Sequence, residues 1–328
     1  MNNKTKLALT AVGITAVSVT AINAMSTAAT KYLVKVALDR EQPKNTSKKA
    51  KNKLVGSAER KPFVNAIAAS AKKLEAENTA EVAITSHDGL GLIGHLRTCE
   101  KPKRVILAMH GWRSSWSRDF GMIADFWYEN DCDVLFAEQR GQNKSGGDYM
   151  GFGMLERYDC LGWIRFLNEH GYSNLPIYLG GVSMGASTVL MTSGFSLPDN
   201  VRGIVADCGF TSASEIWKHV VKNNMHMSYR DRRNAAADEL CKKRIHIGAN
   251  AYTTFDALQT NKIPVLFIHG TDDKFVPIEM TYENYKTCSA EKYLFVVPGA
   301  DHGMSYFSDK EGYETAVKNF WKTYDQII

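Results

Sequence analysis

The segment Gly181-Val182-Ser183-Met184-Gly185 places a hydroxyl nucleophile between small residues in the pattern G-x-S-x-G. It follows the apolar run IYLGG (177–181) and opens a helical pattern over 184–195, so Ser183 falls on a strand–turn–helix. Such a sharp turn needs small neighbours because its backbone passes close to adjacent elements, and the helix aims its first amides at the reacting centre. A serine nucleophile requires a base, and the base an orienting acid. His302, in GADHG after the run 293–298, and Asp273, in HGTDDKFVP after the run 265–269, supply both in the chain order Ser183, Asp273, His302. Asp272, and Asp207 in GIVADC (203–208), are the competing acids.

These side chains can meet only if strand ends bring them together. From residue 80 onward, short apolar runs alternate with helical patterns, which implies a mostly parallel sheet. VAIT (82–85) and LGLIGHL (90–96) flank Asp88-Gly89 and read as a hairpin. RVILAMH (104–110), DVLFAE (133–138), IYLGG, GIVADC, VLFIHG (265–270) and YLFVVPG (293–299) read as the further strands. Helical patterns fall at about 64–78, 117–129, 153–170, 184–195 and 311–326, and 211–255 interrupts the alternation as inserted helices. Six cysteines stand singly with no CxxC pair, a pattern of scattered buried thiols, and no Cys/His cluster has metal-ligand spacing.

Five motifs then occur in order: His110-Gly111, the turn from Arg140-Gly141 to Ser145-Gly146, GVSMG, HGTDDKFVP and the segment of His302. In these the chain resembles the α/β-hydrolase superfamily, in its single-domain serine esterase and peptidase-like branch, over roughly residues 80–326. The resemblance implies an α/β fold with a mostly parallel eight-stranded sheet flanked by helices. It places a small helical cap, about 211–255, between strands 6 and 7. It makes Ser183 the nucleophile, His302 the general base and Asp273 the acid that holds the imidazole. The backbone N–H groups of Trp112 and Met184 are the matching oxyanion donors. His110 is expected to shape the oxyanion loop, and Glu156 and Asp159 to make structural hydrogen bonds. Asn143 departs from the family turn, where a second glycine is usual.

The function expected is a serine hydrolase of the carboxylesterase type, acting through an acyl-enzyme on a small acyl ester or a short peptide. Peptidase, thioesterase and acyltransferase activities share the triad, and a catalytically silent binding module is the reading from another class. No cofactor or metal is implied, since nothing resembles a dinucleotide fingerprint. The chain has 328 residues, 44% hydrophobic and 23% charged, with net charge +5, an ordinary globular balance. Residues 1–62 carry 12 basic and 3 acidic side chains, leaving 28 and 32 for the rest. The basic character therefore belongs to the N-terminus, which argues against a nucleic-acid partner for the body. Residues 7–30 hold no charge and can span ~30 Å of hydrocarbon as a helix. The expected organisation is a hydrophobic anchor or signal segment at 1–30, a basic linker and helix at 31–79, and the hydrolase domain at 80–328. The protein is thus expected at the cell membrane with its catalytic domain extracytoplasmic, or, alternatively, cleaved and secreted.

Overall fold

The computed structural model describes residues 27–42, 61–229 and 231–325. Its centre is an eight-stranded sheet with the order β1-β2-β4-β3-β5-β6-β7-β8. The strands are β1 (Ala80–Thr85), β2 (Gly91–Arg97), β3 (Arg104–Met109), β4 (Cys132–Ala137), β5 (Ile177–Val182), β6 (Val201–Asp207), β7 (Val265–Gly270) and β8 (Lys292–Val297). β2 runs antiparallel to both β1 and β4, and every other pairing is parallel. The Asp88-Gly89 turn joins β1 to β2 as the sequence predicts, with Gly89 at φ 87°.

The inner strands are continuous apolar runs because helices cover both faces. β3 sends Val105, Leu107 and Met109 into one core, with Trp163 and Val189, and Ile106 and Ala108 into the other, with Phe136 and Trp321. The first face is covered by α5 (Glu156–Leu167) and α6 (Met184–Thr192). The second is covered by α3 (Trp116–Phe120), α4 (Ala124–Glu129) and α12 (Lys310–Tyr324), the last through its stripe Tyr313, Val317, Phe320 and Trp321. The helix expected over 117–129 is therefore split. At Gly121 a Cβ would stand 2.6 Å from Ser117 O and 2.7 Å from the backbone of Ser70, where α2 (Lys61–Glu75) crosses.

Between β6 and β7 the chain forms α7 (Ala213–His219), a π turn (Val220–Asn224), α8 (Asp231–Ile245) and α9 (Thr254–Leu258). α10 (Ile278–Thr287) follows β7, and the short α11 (Ser305–Ser308) follows β8. Parallel strands of this order deliver their carboxyl ends to one crevice, which is where an open α/β sheet builds its site.

The N-terminal segment departs from the composition-based expectation. Residues 27–38 are helical (α1), so the helix takes in the last residues of the uncharged run and the first of the basic stretch. Thr30, Val34, Val36 and Leu38 are buried, whereas Lys31, Tyr32 and Lys35 are exposed. Burying Val34, Val36 and Leu38 stabilises the docked helix by roughly 5–9 kcal/mol as an upper bound. Past the helix, Asp39 forms an antiparallel bridge with Tyr149, and Met150 N–H donates to Leu38 O at 2.8 Å. Residues 31–42, which composition assigned to a linker, are thus packed onto the body that the sheet forms. Among the described residues no helix is long and apolar enough to cross a membrane. Residues 7–26 of the expected anchor lie outside the described residues.

Candidate active site

β5 ends at Val182 and α6 begins at Met184, which leaves Ser183 alone on the turn. Its backbone is held at φ 56°, ψ −116°, outside the regions an L-residue prefers, a strain of roughly 1–3 kcal/mol. Ser183 N–H donates to Asp207 O at 2.9 Å, and Ser183 O accepts from Ser187 N–H at 3.1 Å, which fixes the turn. The flanking glycines are required sterically. A Cβ on Gly181 would lie 2.3 Å from Gly185 O, and one on Gly185 only 1.8 Å from Met109 O.

The structure brings the three residues singled out by motif into one chain of hydrogen bonds. His302 Nε2 lies 2.9 Å from Ser183 Oγ, and His302 Nδ1 lies 2.6 Å from Asp273 Oδ2. With Nδ1–H donating to the carboxylate, Nε2 is left to accept the serine proton. Asp273 Oδ1 accepts from the backbone N–H groups of Phe275 and Val276, both at 2.9 Å. Burial alone would raise the Asp273 carboxyl, but the charge of His302 and hydrogen bonds from His269 and His302 hold it well below the usual carboxylate range.

His269 has a role that the sequence motifs do not single out. It stands in β7 with Nε2–H shared between Asp273 Oδ2 at 3.2 Å and Val276 O at 3.0 Å, while Thr281 Oγ donates to Nδ1 at 2.6 Å. It therefore positions the acid from behind. The signal was present: His269 is the first letter of HGTDDKFVP.

The rival acids are placed differently. Asp207 ends β6, fully buried, and accepts from Ser305 Oγ at 2.8 Å; burial pushes its carboxyl up to about 6. Asp272 is exposed and accepts from its neighbour Thr271.

The loop after β3 carries Trp112. Gly111 N–H donates to Asp119 Oδ2 at 2.7 Å, and Arg113 N–H donates to Gln142 Oε1. Among the described residues the amides of Trp112 and Met184 make no hydrogen bond, so each is available to a ligand oxygen. His110 does shape this loop. Its Nδ1–H donates to Gly111 O at 2.8 Å and its Nε2 accepts from Gln139 N–H at 3.1 Å, and burial lowers its basicity, so the ring is neutral.

Asn143 adopts φ 50°, a left-handed conformation that asparagine tolerates, so the turn forms without the second glycine. Arg140 is buried against Asp159, with Nε–Oδ2 and Nη2–Oδ1 both 2.6 Å, and reaches Asp88 at 2.8 Å. Glu156 accepts from the amides of Gly151 and Gly153 at 2.6 and 2.8 Å. Both carboxylates therefore have the structural roles expected. All six cysteines are unpaired. Two side-chain groups come close enough together to ligate a metal among the described residues, Cys208–Asp273–His302 and His87–Asp88–Asp159. In the first the carboxylate and imidazole already bond each other, and in the second Arg140 engages both carboxylates.

Two cavities meet at Ser183. One, of about 70 Å³, lies under α1 and the insert and is walled by Leu33, Val34, Ala37, Trp217, Val221 and Ala237. The other, of about 320 Å³, opens past His302 and is bordered by Arg113, Ser114, Arg118, Asp119 and Met122.

This sheet, with a serine on a strained strand–helix turn facing a histidine at the end of the next strands, defines an α/β-hydrolase. The sequence profile of the serine aminopeptidase S33 family matches residues 100–309, and the chain belongs to that family. It is 27% identical over 197 residues to the YqkD protein of Bacillus subtilis, a match covering 57% of this chain and 61% of that protein's length. It is 22% identical over 220 residues to the YfhR protein of Escherichia coli O157:H7, covering 66% and 69%. Among solved structures, the Pyrococcus furiosus esterase PF2001 superposes with a TM-score of 0.64 at 21% identity, over 78% of this chain and 94% of that one. The α/β-hydrolase GrgF from Penicillium superposes at 0.60 with 17% identity, over 76% and 99%.

Proposed function

We propose that the protein is a serine hydrolase that cleaves carboxylic esters through an acyl-enzyme on Ser183. The observation that carries this reading is the linear array in which His302 bridges Ser183 Oγ at 2.9 Å and Asp273 at 2.6 Å. Ser183 Oγ attacks the ester carbonyl as His302 Nε2 takes its proton, and Asp273 stabilises the imidazolium. The carbonyl oxygen becomes an oxyanion held by the Trp112 and Met184 amides, each worth roughly 3–4 kcal/mol of barrier. The alkoxide leaves with the proton from His302. Water then enters, gives His302 a proton and attacks the acyl carbonyl, and the acid departs as Ser183 regains its proton.

The apolar cavity supports an ester with a neutral acyl group over an aminoacyl amide, because among the described residues its walls carry no carboxylate, and Asp119 on the larger cavity already accepts from Gly111 N–H and Ser114 Oγ. A panel of p-nitrophenyl esters run beside aminoacyl p-nitroanilides tests the choice. Ester hydrolysis exceeding amide hydrolysis supports it, and the reverse order makes the protein a peptidase.

Membrane attachment through the uncharged run is part of the same proposal, supported by the two lysines that precede the run, the build of an export signal. The catalytic domain would then lie on the extracytoplasmic side. Retention in the membrane fraction after a high-salt wash, with protease accessibility in intact cells, is expected; release by salt would overturn the anchor.

A further inference from the structure

The cavity at Ser183 has a wall that the family match does not reach. α1 lies wholly N-terminal to residues 100–309, yet its Leu33, Val34 and Ala37 line that cavity opposite Trp217, Val221 and Ala237 of the insert. Thr30, Leu33, Val34, Ala37 and Leu38 recur at the three- and four-residue spacing of one helix face.

The seating of this helix is specific. Trp112 Nε1–H donates to Ala37 O at 2.8 Å. The Arg113 guanidinium donates to Val36 O at 2.8 Å, to Arg40 O at 3.1 Å and to Asp39 O. The last carbonyls of a helix have no partner within it, and these donors satisfy them with charge of the sign the helix terminus favours. From the insert, Arg244 Nε pairs with Asp39 Oδ1 at 2.6 Å. The loop that offers the Trp112 amide to the reacting oxygen is thus the loop that grips α1, and the grip fixes which face of α1 meets the cavity. The facing walls are mainly aliphatic and aromatic, and Arg233, also among the lining residues, has an interaction of its own.

We propose that α1 is the acyl-binding wall of the site, so that the preferred substrates are esters of uncharged aliphatic acids longer than acetate. Leu33 and Ala37 set the chain length accepted. This rests on the esterase reading above and adds the substrate class to it. An acyl chain lying between α1 and the insert removes its methylenes from water, and side chains on α1 decide how many can enter.

The test compares p-nitrophenyl octanoate with p-nitrophenyl acetate in the full-length wild type, Ala37→Phe and Leu33→Ala. Each preparation is normalised to its fluorophosphonate-titrated active sites, so that misfolded molecules drop out. The readout is the octanoate-to-acetate ratio of kcat/KM. Ala37→Phe should lower that ratio about tenfold or more, the discrimination a few methylenes give in an apolar pocket. Leu33→Ala should move it the other way or shift the optimum to a longer chain. Ratios within about twofold of wild type in both variants would overturn the α1 wall while leaving the esterase reading intact. A wild type that hydrolyses neither ester overturns the esterase reading, and the acyl wall with it.

Discussion

Asp207 and Asp273 stand at the carboxyl ends of neighbouring strands, both buried, and their surroundings treat them in opposite ways. Asp273 receives two backbone amides and two imidazole N–H groups, and its carboxyl is held well below the usual range. Asp207 receives the Ser305 hydroxyl, and burial pushes it up to about 6. Burial opposes ionisation at both sites; the number and charge of the donors decide the outcome. A carboxylate that must steady an imidazolium needs the first environment. The second suits a group whose main work is to hold the turn, which Asp207 does through its backbone O bonded to Ser183 N–H.

Substitutions at three positions would break or sharpen this contrast. Asp273→Asn should lower kcat about 10⁴-fold, because an amide cannot fix the Nδ1–H tautomer or steady the cation. A loss confined to tenfold, or an equal loss in Asp207→Asn, would move the acid to β6. His269→Ala should lower kcat about tenfold, while His269→Gln, which keeps an N–H in that direction, recovers part of it. Circular dichroism and thermal melts on both variants separate a displaced Asp273 from a lost fold, and identical activity in Ala and Gln variants would remove the positioning role.

Asp207→Asn should leave kcat/KM within about threefold and act on stability instead. The folded protein binds the Asp207 proton more tightly than the unfolded chain, whose aspartate titrates near ~3.9. Its contribution is therefore complete below about pH 4 and is lost as pH rises to about 6, on the order of 3 kcal/mol in all. Asp273 has the opposite sign: its contribution is present above about pH 4 and is lost as pH falls below that. Melting temperatures at pH 4, 5, 6 and 7 should show wild type losing ground to Asp207→Asn across this range. Parallel curves would contradict the raised carboxyl.

The array of Ser183, His302 and Asp273 was legible because each member sits in a local motif at a strand end, and parallel strands carry local signals to a common edge. The motif position of the resemblance favoured Asp273 while leaving Asp272 as a competitor, and the structure turns the first inward and leaves the second exposed. What the sequence hid was tertiary. α1 carries Lys31 and Lys35 on its outer face, so composition across 31–61 read as a basic linker although 30, 33, 34, 37 and 38 keep helical spacing. That face gains meaning only against Trp112 and Arg113, more than seventy residues later. The need for glycine at 121 was hidden for the same reason, since it answers to the approach of Ser70 and Ala71. His269 escaped because, although it opens HGTDDKFVP, nothing in that motif marks Asp273 as the partner of its ring.

The account rests on Ser183 being activated by His302 and becoming covalently acylated. Full-length protein treated with a fluorophosphonate, digested and mapped by mass spectrometry, addresses this directly. One adduct on Ser183 is expected, absent from Ser183→Ala and formed far more slowly in Asp273→Asn. Folded wild type that stays unlabelled, or carries the adduct on another residue, would contradict the account.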